Sequence, residues 1–154
     1  MPTHVQASHR IVVDAPVAQA FMLFTPAGEE LWVEGWQPSY LNPPDGRTQA
    51  GMVFTTGEGA EHTIWLMADF DREQHRSRYM RCTPGSRTGT VEVRCHALDA
   101  ERTEVKVSYA LTALSPAGAE ALLGFEGERF AAMIDGWGHE IAARRESLLT
   151  ADIR

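Results

Sequence analysis

The stretch DAPVAQAFMLFTPAGEELWVEGWQP, residues 14–38, decides how this chain folds. Asp14 is a good helix N-cap and Pro16 suits the first helical turn, so the stretch predicts a helix near its start. Apolar residues at i, i+4 and i+7 give that helix one buried face. The three residues of this face are Val17, Phe21 and Phe24.

A second short helix is predicted directly after the first. Thr25 can cap it and Pro26 can occupy its first position. We expect Trp32 to anchor the two helices in the core. Trp36 and Tyr40 follow, and they either form the lid of a pocket or simply close the open end of the fold; the sequence favours neither.

The chain from residue 39 to residue 114 has mainly strand character. Two runs, 88–98 and 103–114, alternate apolar and polar residues cleanly, which is typical of antiparallel strands with one solvated face. Ser115 and Pro116 then mark the start of one long helix that runs nearly to the end of the chain. The six predicted strands are residues 4–13, 52–56, 61–70, 76–83, 88–98 and 103–114.

Glycines interrupt the last helix, at about 1 kcal/mol each relative to alanine. One interpretation is that the helix approaches the sheet closely there; the other is that large side chains are withheld to keep a cavity open. The glycines are Gly124, Gly127, Gly136 and Gly138, beside an apolar stripe formed by Leu123, Phe130, Ile134, Trp137, Ile141 and Leu148.

Length and composition indicate one domain, residues 1–154, of a soluble globular protein, with 44% hydrophobic and 23% charged residues. A net charge of −7 argues against nucleic-acid binding. We find no apolar run long enough to span a membrane and no signal peptide, so we expect a cytoplasmic protein. Cys82 and Cys95 are expected to lie too far apart for a disulfide and to remain thiols.

Arginines are concentrated in the middle of the chain. The interpretation favoured by the sequence is the solvated face of a hairpin. The alternative is a site for an anionic ligand group or an acidic partner, because arginine presents a planar fork of donors. These arginines are Arg72, Arg76, Arg78, Arg81, Arg87 and Arg94.

Several motifs, taken in order, resemble the START-like superfamily, also called SRPBCC, over nearly the whole chain. This superfamily includes pollen-allergen proteins, polyketide cyclases/dehydrases and activators of the Hsp90 ATPase. The matching segments are IVVDAP at 11–16, FMLFTP at 21–26, ELW at 30–32 with GW at 35–36, the segment 79–90 with TPG at 83–85, and the late Phe130 and Trp137.

The resemblance implies an α+β helix-grip fold, in which a curved antiparallel sheet of about seven strands wraps a long C-terminal helix around a largely apolar cavity. It carries over no catalytic residue. The sequence contains no metal-ligand spacing, phosphate-binding loop or dinucleotide fingerprint, so we expect no metal and no cofactor.

Some aromatic and polar residues are candidates for the cavity lining. Trp65 is expected to point inward because it is bulkier than its neighbours on the opposite face. Tyr79 and Arg81 share a face of the next strand, and for Arg81 an outward orientation is slightly favoured. Tyr109 is the best candidate for a hydroxyl group inside the core. Phe130 and Trp137 are expected to form core wall.

Three functions are compatible with these features. The first is binding of a small hydrophobic or aromatic molecule, lipid- or polyketide-like, whose polar group meets Tyr79, Arg81 or Tyr109. The second is a cyclase or dehydratase that uses a cavity Tyr, His or Glu in proton transfer, with Tyr109 and His62 as candidates. The third is an interaction module like the Hsp90 activators, in which the basic hairpin binds an acidic partner. A homodimer is also compatible with a small domain that has sheet edges.

Overall fold

The computed structural model describes residues 2–154. Seven strands form one antiparallel sheet in the order β1-β7-β6-β5-β4-β3-β2, so that β1 and β2 are its edges. The strands are β1 His4–Val13, β2 Ser39–Asn42, β3 Val53–Thr56, β4 Thr63–Asp71, β5 Arg76–Thr83, β6 Arg87–Asp99 and β7 Arg102–Ala113.

Helices cover the concave side of this sheet, and α4 packs mainly along β1. This arrangement confirms the predicted α+β helix-grip fold. None of the helices in residues 2–154 is both long and apolar enough to cross a membrane. The helices are α1 Val17–Met22, α2 Pro26–Glu29, α3 Pro116–Leu122, α4 Gly127–Ala143 and α5 Arg145–Thr150, with 3₁₀ turns at Gly59–Glu61 and Leu123–Phe125.

The prediction of one continuous C-terminal helix is wrong. A 3₁₀ turn follows α3, and α4 begins at Gly127 with a φ of 46°, which lies in the left-handed region. A second break at Arg144 separates α4 from α5. The apolar spacing continues across both breaks, so the sequence pattern alone shows one stripe.

Two other predictions near the N-terminus need correction. Pro16 occupies the N-cap position of α1, and no side chain caps this helix, so Asp14 does not have the predicted role. The short edge strand β2, Ser39–Asn42, was not predicted as a strand, because it carries a single half-buried residue, Tyr40, among exposed ones.

The connection from α1 to α2 is fixed as the sequence predicts. The Thr25 hydroxyl accepts a hydrogen bond from the Gly28 amide at 3.1 Å, which caps α2. A Cβ on Gly28 would lie 2.1 Å from the Met22 carbonyl oxygen, so the two helices meet where only glycine fits. Trp32 is 2% exposed and its indole donates to the Leu23 carbonyl at 2.8 Å, which confirms it as the anchor.

Glycines in the last helices have separate roles. A Cβ on Gly138 would lie 3.7 Å from the Ile11 side chain, so α4 and β1 approach closely at that point. Nothing lies within 4 Å of a Cβ on Gly124 or Gly136. A hollow of about 40 Å³ beside Gly138 is too small for an organic ligand. Because 3.7 Å is an ordinary van der Waals distance, the four glycines mark one helix break, at Gly127, and make no contact that requires glycine.

Candidate functional site

A cavity of about 110 Å³ lies between the concave face of the sheet, α2 and its following turn, and α4. Its walls are mostly aromatic and aliphatic, and only a few polar groups face it. This is the usual composition of a small-molecule site. The lining residues are Phe24, Glu29, Val33, Trp36, Trp65, Tyr79, Arg81, Val91, Val93, Tyr109 and Trp137.

Strand alternation determines which side chains reach the cavity. Trp65 is buried on the inner face of β4, as predicted, while Ile64 and Leu66 are exposed on the outer face. Tyr79 pairs with Val91 across β5 and β6, and Val91 pairs with Tyr109 across β6 and β7. The cavity is therefore lined by residues at matching positions of adjacent strands.

Trp36 forms one rim of the cavity. Its ring makes an edge contact with Trp65 at a centroid distance of 5.7 Å, and its indole donates to the Pro26 carbonyl at 3.0 Å. The residue is half-buried. Trp36 thus combines the two roles left open by the sequence, because it closes the fold and also faces the cavity.

Arg81 points into the cavity, so the outward orientation that was favoured from sequence is wrong. Its guanidinium carbon lies 4.7 Å from the centroid of the Trp65 ring, which is cation–π geometry. Its Nε atom is buried and has no hydrogen-bond partner within residues 2–154. Burial lowers the pKa of Arg81, yet an arginine remains charged at neutral pH.

The two cavity tyrosines differ in how their hydroxyl groups are used. The Tyr79 hydroxyl donates to the Phe24 carbonyl at 2.8 Å, so this polar group is satisfied within the protein. Burial raises the pKa of the Tyr109 hydroxyl to about 12, and the charge of Arg81 acts on this hydroxyl in the opposite direction. Tyr109 is therefore protonated at neutral pH and is available to donate a hydrogen bond.

Glu29, the last residue of α2, also lines the cavity, although it was not among the candidate residues from the sequence. Its side chain faces the enclosed space, so it keeps some exposed area while burial raises its carboxyl pKa well above 4.5. Val33 and Trp36, in the segment that follows α2, line the same side of the cavity.

A second buried arginine, Arg87, lies close enough to Arg81 to affect its pKa. Arg87 is 5% exposed and makes a two-pronged ion pair with Glu61, with N–O distances of 3.0 and 3.3 Å. The hydrogen bonds from Arg87 lower the pKa of Glu61, so this carboxyl is ionised at neutral pH. Glu61 therefore supplies the counterion of Arg87, although the Nε atom of Arg87, like that of Arg81, is buried without a hydrogen-bond partner among the described residues.

The other candidate residues lie at the edge of the site or outside it. Trp137 lines the cavity from α4. Phe130 is 1% exposed and packs behind Tyr109 with a centroid distance of 5.1 Å, so it supports the wall. The Tyr40 hydroxyl donates to Glu30 at 2.8 Å beside an open surface groove, which places Tyr40 away from the cavity.

The basic stretch does not form one surface. Arg81 and Arg87 turn inward, whereas Arg76 pairs with Asp69 at 3.3 Å and Arg94 pairs with Glu92 at 2.6 Å. Within the described residues no group of three or more His, Cys, Asp or Glu side chains is arranged to hold a metal ion. The arginines of this stretch are therefore divided between the interior and paired surface positions.

Comparison with known proteins gives matches at the level of structure. No protein-family model matches this sequence, and no curated protein sequence matches it at a significant level. The Zhui aromatase/cyclase from Streptomyces sp. R1128 superimposes with a TM-score of 0.65 at 19% identity, covering 93% of this chain and 96% of that one. A norcoclaurine synthase from Thalictrum flavum has a TM-score of 0.64 at 13% identity, covering 92% and 96%.

A third similar structure is Ara h 8.0201, with a TM-score of 0.63 at 13% identity over 96% of this chain and 99% of that one. Identities this low show a common fold alone. The strand order, the two short helices after β1 and the helix held against the sheet are those expected from the motifs at 11–16, 21–26 and 30–36. This chain therefore has the helix-grip fold that its sequence motifs predict and that these solved structures share.

Proposed function

We propose that the protein binds a small hydrophobic or aromatic molecule, about one ring in size, in the cavity between sheet and α4. The observation that carries this proposal is a set of polar groups, on Glu29, Arg81 and Tyr109, that face a space otherwise walled by apolar side chains. Such groups fix the orientation of a ligand whose remaining surface is apolar.

The size of the cavity narrows the ligand class. An engineered apolar cavity of about 150 Å³ holds benzene, so a cavity of about 110 Å³ suits a single ring or a short chain. This is the small end of the lipid- or polyketide-like class predicted from the sequence. A norcoclaurine synthase of the same fold has been crystallised with dopamine and hydroxybenzaldehyde, which are single-ring molecules. This precedent supports the size class that we propose.

Isothermal titration calorimetry with single-ring probes tests the proposal, beginning with toluene, benzoate and nitrobenzene. We expect at least one probe to bind the wild type. Val91→Phe, which places a ring in the cavity, should abolish binding while circular dichroism shows an unchanged fold. Thr90→Phe changes the outer face of the same strand and should bind as the wild type does. If Val91→Phe bound the probes as tightly as the wild type does, the cavity would not be the binding site.

A second candidate function is acid–base catalysis of the cyclase or dehydratase type. It is favoured by Glu29, a carboxyl group that faces the cavity and whose pKa is raised by burial, and by the Tyr109 hydroxyl, which faces the same space. Loss of dehydration of a β-hydroxy ketone in Glu29→Gln, with probe binding unchanged, would support it. Unchanged turnover would exclude Glu29 as the acid. His62 is exposed and bonded to the Gly57 carbonyl, so it has no such role.

The remaining expectations are part of the same proposal. A cytoplasmic location is compatible with the two free thiols, Cys82 and Cys95. A homodimer remains a prediction that multi-angle light scattering would measure. The Hsp90-activator-like alternative has little support, because several arginines of the basic stretch are paired or turned inward.

A further inference from the structure

The guanidinium of Arg81 lines the cavity, and the buried Arg87 lies close enough to affect its pKa. One carboxylate, that of Glu61, accompanies the two arginines. Arg87 pairs with that carboxylate, because the two oxygens of Glu61 accept hydrogen bonds from both terminal nitrogens of Arg87. Arg87 also donates to the Ser86 hydroxyl at 3.0 Å. Arg81 has no ion-pair partner of its own among the described residues, although the charge of Glu61 also acts on it at longer range.

The surroundings of Arg81 confirm this imbalance. Of the ion pairs formed by the described residues, none includes Arg81, so no carboxylate oxygen lies within 4.0 Å of it. Its Nε atom is buried without a partner, and the face of Trp65 offers only partial compensation. A buried charge without a partner is costly, and a fold normally supplies one.

Two further polar groups face the cavity beside Arg81, namely the carboxyl of Glu29 and the hydroxyl of Tyr109. Burial raises the pKa of both groups, which disfavours a negative charge on either. The hydroxyl of Tyr109 can donate a hydrogen bond, as can the guanidinium of Arg81. Arg81 therefore provides the fixed positive charge in the cavity lining.

We infer that the cavity takes a small organic anion, namely a ring-sized carboxylate whose oxygens accept hydrogen bonds from Arg81 while the ring lies against the aromatic wall. This inference rests on the proposed binding function and specifies its ligand class. The anion supplies the missing counterion, and its apolar body fills the space bordered by Trp65, Val91 and Trp137. Hydrogen bonds between charged groups are short and about twice as strong as neutral ones, which would make charge the main determinant of selectivity.

Benzoate and nitrobenzene form a matched pair of probes, because both present two acceptor oxygens in the plane of one ring and they differ in charge. Calorimetry at pH 7 should give benzoate an affinity at least about tenfold higher than that of nitrobenzene. Acetate, which carries the charge without the ring, should bind far more weakly than benzoate. The comparison between acetate and benzoate distinguishes a site for an organic anion from a site that holds any anion by charge alone.

Arg81→Met removes the charge and keeps an apolar side chain of similar length. We expect it to remain folded, because an unpaired buried charge is lost, and to abolish the preference for benzoate over nitrobenzene. Arg78→Met is the matched control, since Arg78 is exposed on the outer face of the same strand. This control should retain the wild-type preference.

The outcomes separate this inference from the proposed function. Nitrobenzene binding as tightly as benzoate would overturn the inference and leave the cavity function standing. Failure of every probe, including toluene, would overturn both. Equal loss of benzoate binding in Arg78→Met and Arg81→Met would assign the anion to the surface and overturn the inference. If Arg81→Met unfolds, Arg81→Lys serves instead, and an unchanged affinity for benzoate in that variant would contradict a planar arginine contact.

Discussion

Glu29 places a carboxyl group against the apolar cavity, where ionisation costs free energy. Because its pKa in the native state lies above the ordinary 4.5, the native state holds this proton over a pH range in which the unfolded chain has lost it. The free energy of unfolding therefore falls as pH rises from about 4.5 through the native pKa. The groups that share the cavity, Arg81, Tyr79 and Tyr109, are not expected to titrate in this range.

Glu29→Gln keeps the size and a hydrogen-bond donor but cannot ionise. We predict that its free energy of unfolding, relative to the wild type, increases from pH 5 to pH 8 in urea denaturation. Glu34→Gln, an exposed change five residues later, should differ from the wild type by less than about 0.5 kcal/mol throughout. Parallel profiles for Glu29→Gln and the wild type would show that Glu29 is ionised in the native state.

The contribution of Glu61 to stability has the opposite pH dependence. Hydrogen bonds from Arg87 lower its pKa, so its contribution to stability is present above about 4.5 and is lost as pH falls through the native pKa. We predict that Glu61→Gln costs about 1 kcal/mol at pH 7, since the carboxylate is largely exposed. The deficit should shrink toward pH 3 in denaturant titrations. A constant deficit at all pH values would exclude the ion pair as its source.

At the scale of single residues, sequence patterns predict which strand face is inward but not how an amphipathic side chain is used. Alternation correctly placed Tyr109 inside, and the bulk of the side chain correctly favoured the inward orientation of Trp65. It favoured the wrong side for Arg81, because a charged residue is normally solvated, and nothing in the local pattern reveals Trp65 as its cross-strand neighbour. Glu29 was missed as a cavity residue because its position depends on how α2 packs against the sheet.

At the scale of elements, two glycines of α4 provide a direct comparison. Gly127 has a φ of 46° where the 3₁₀ turn meets the helix, and Gly136 is interior to the helix; neither has an atom within 4 Å of an added Cβ. We predict that Gly127→Ala destabilises the protein by about 1 kcal/mol through backbone strain, while Gly136→Ala stabilises it by up to about 1 kcal/mol. Thermal unfolding of both variants measures this difference, and equal shifts would contradict the assigned break.

Helix starts were easier to predict than helix continuity. Thr25 and Ser115 cap their helices through the Gly28 and Gly118 amides, as the sequence indicates, because this chemistry is local. The breaks at Gly127 and Arg144 were missed, because the apolar stripe follows the surface of the sheet across them and its spacing stays helical. Continuity depends on the curvature of the sheet, which a one-dimensional pattern does not contain.

At the scale of the whole molecule, the order of elements was sufficient to predict the helix grip. An antiparallel sheet with one apolar face must cover that face, and the only long apolar helices come last in the chain. The same reasoning did not give the volume of the cavity, which depends on how completely the aromatic side chains fill the interior. This volume is what narrows the proposed ligand from a polyketide-like molecule to a single ring.

The most direct test of the central claim is a crystal structure of the protein grown with benzoate. We predict one benzoate between the sheet and α4, with its ring bordered by Trp65 and Trp137 and its carboxylate oxygens about 2.8 Å from the nitrogens of Arg81. Benzoate bound only on the outer surface, or an interior filled by side chains with Arg81 turned to solvent, would contradict the account.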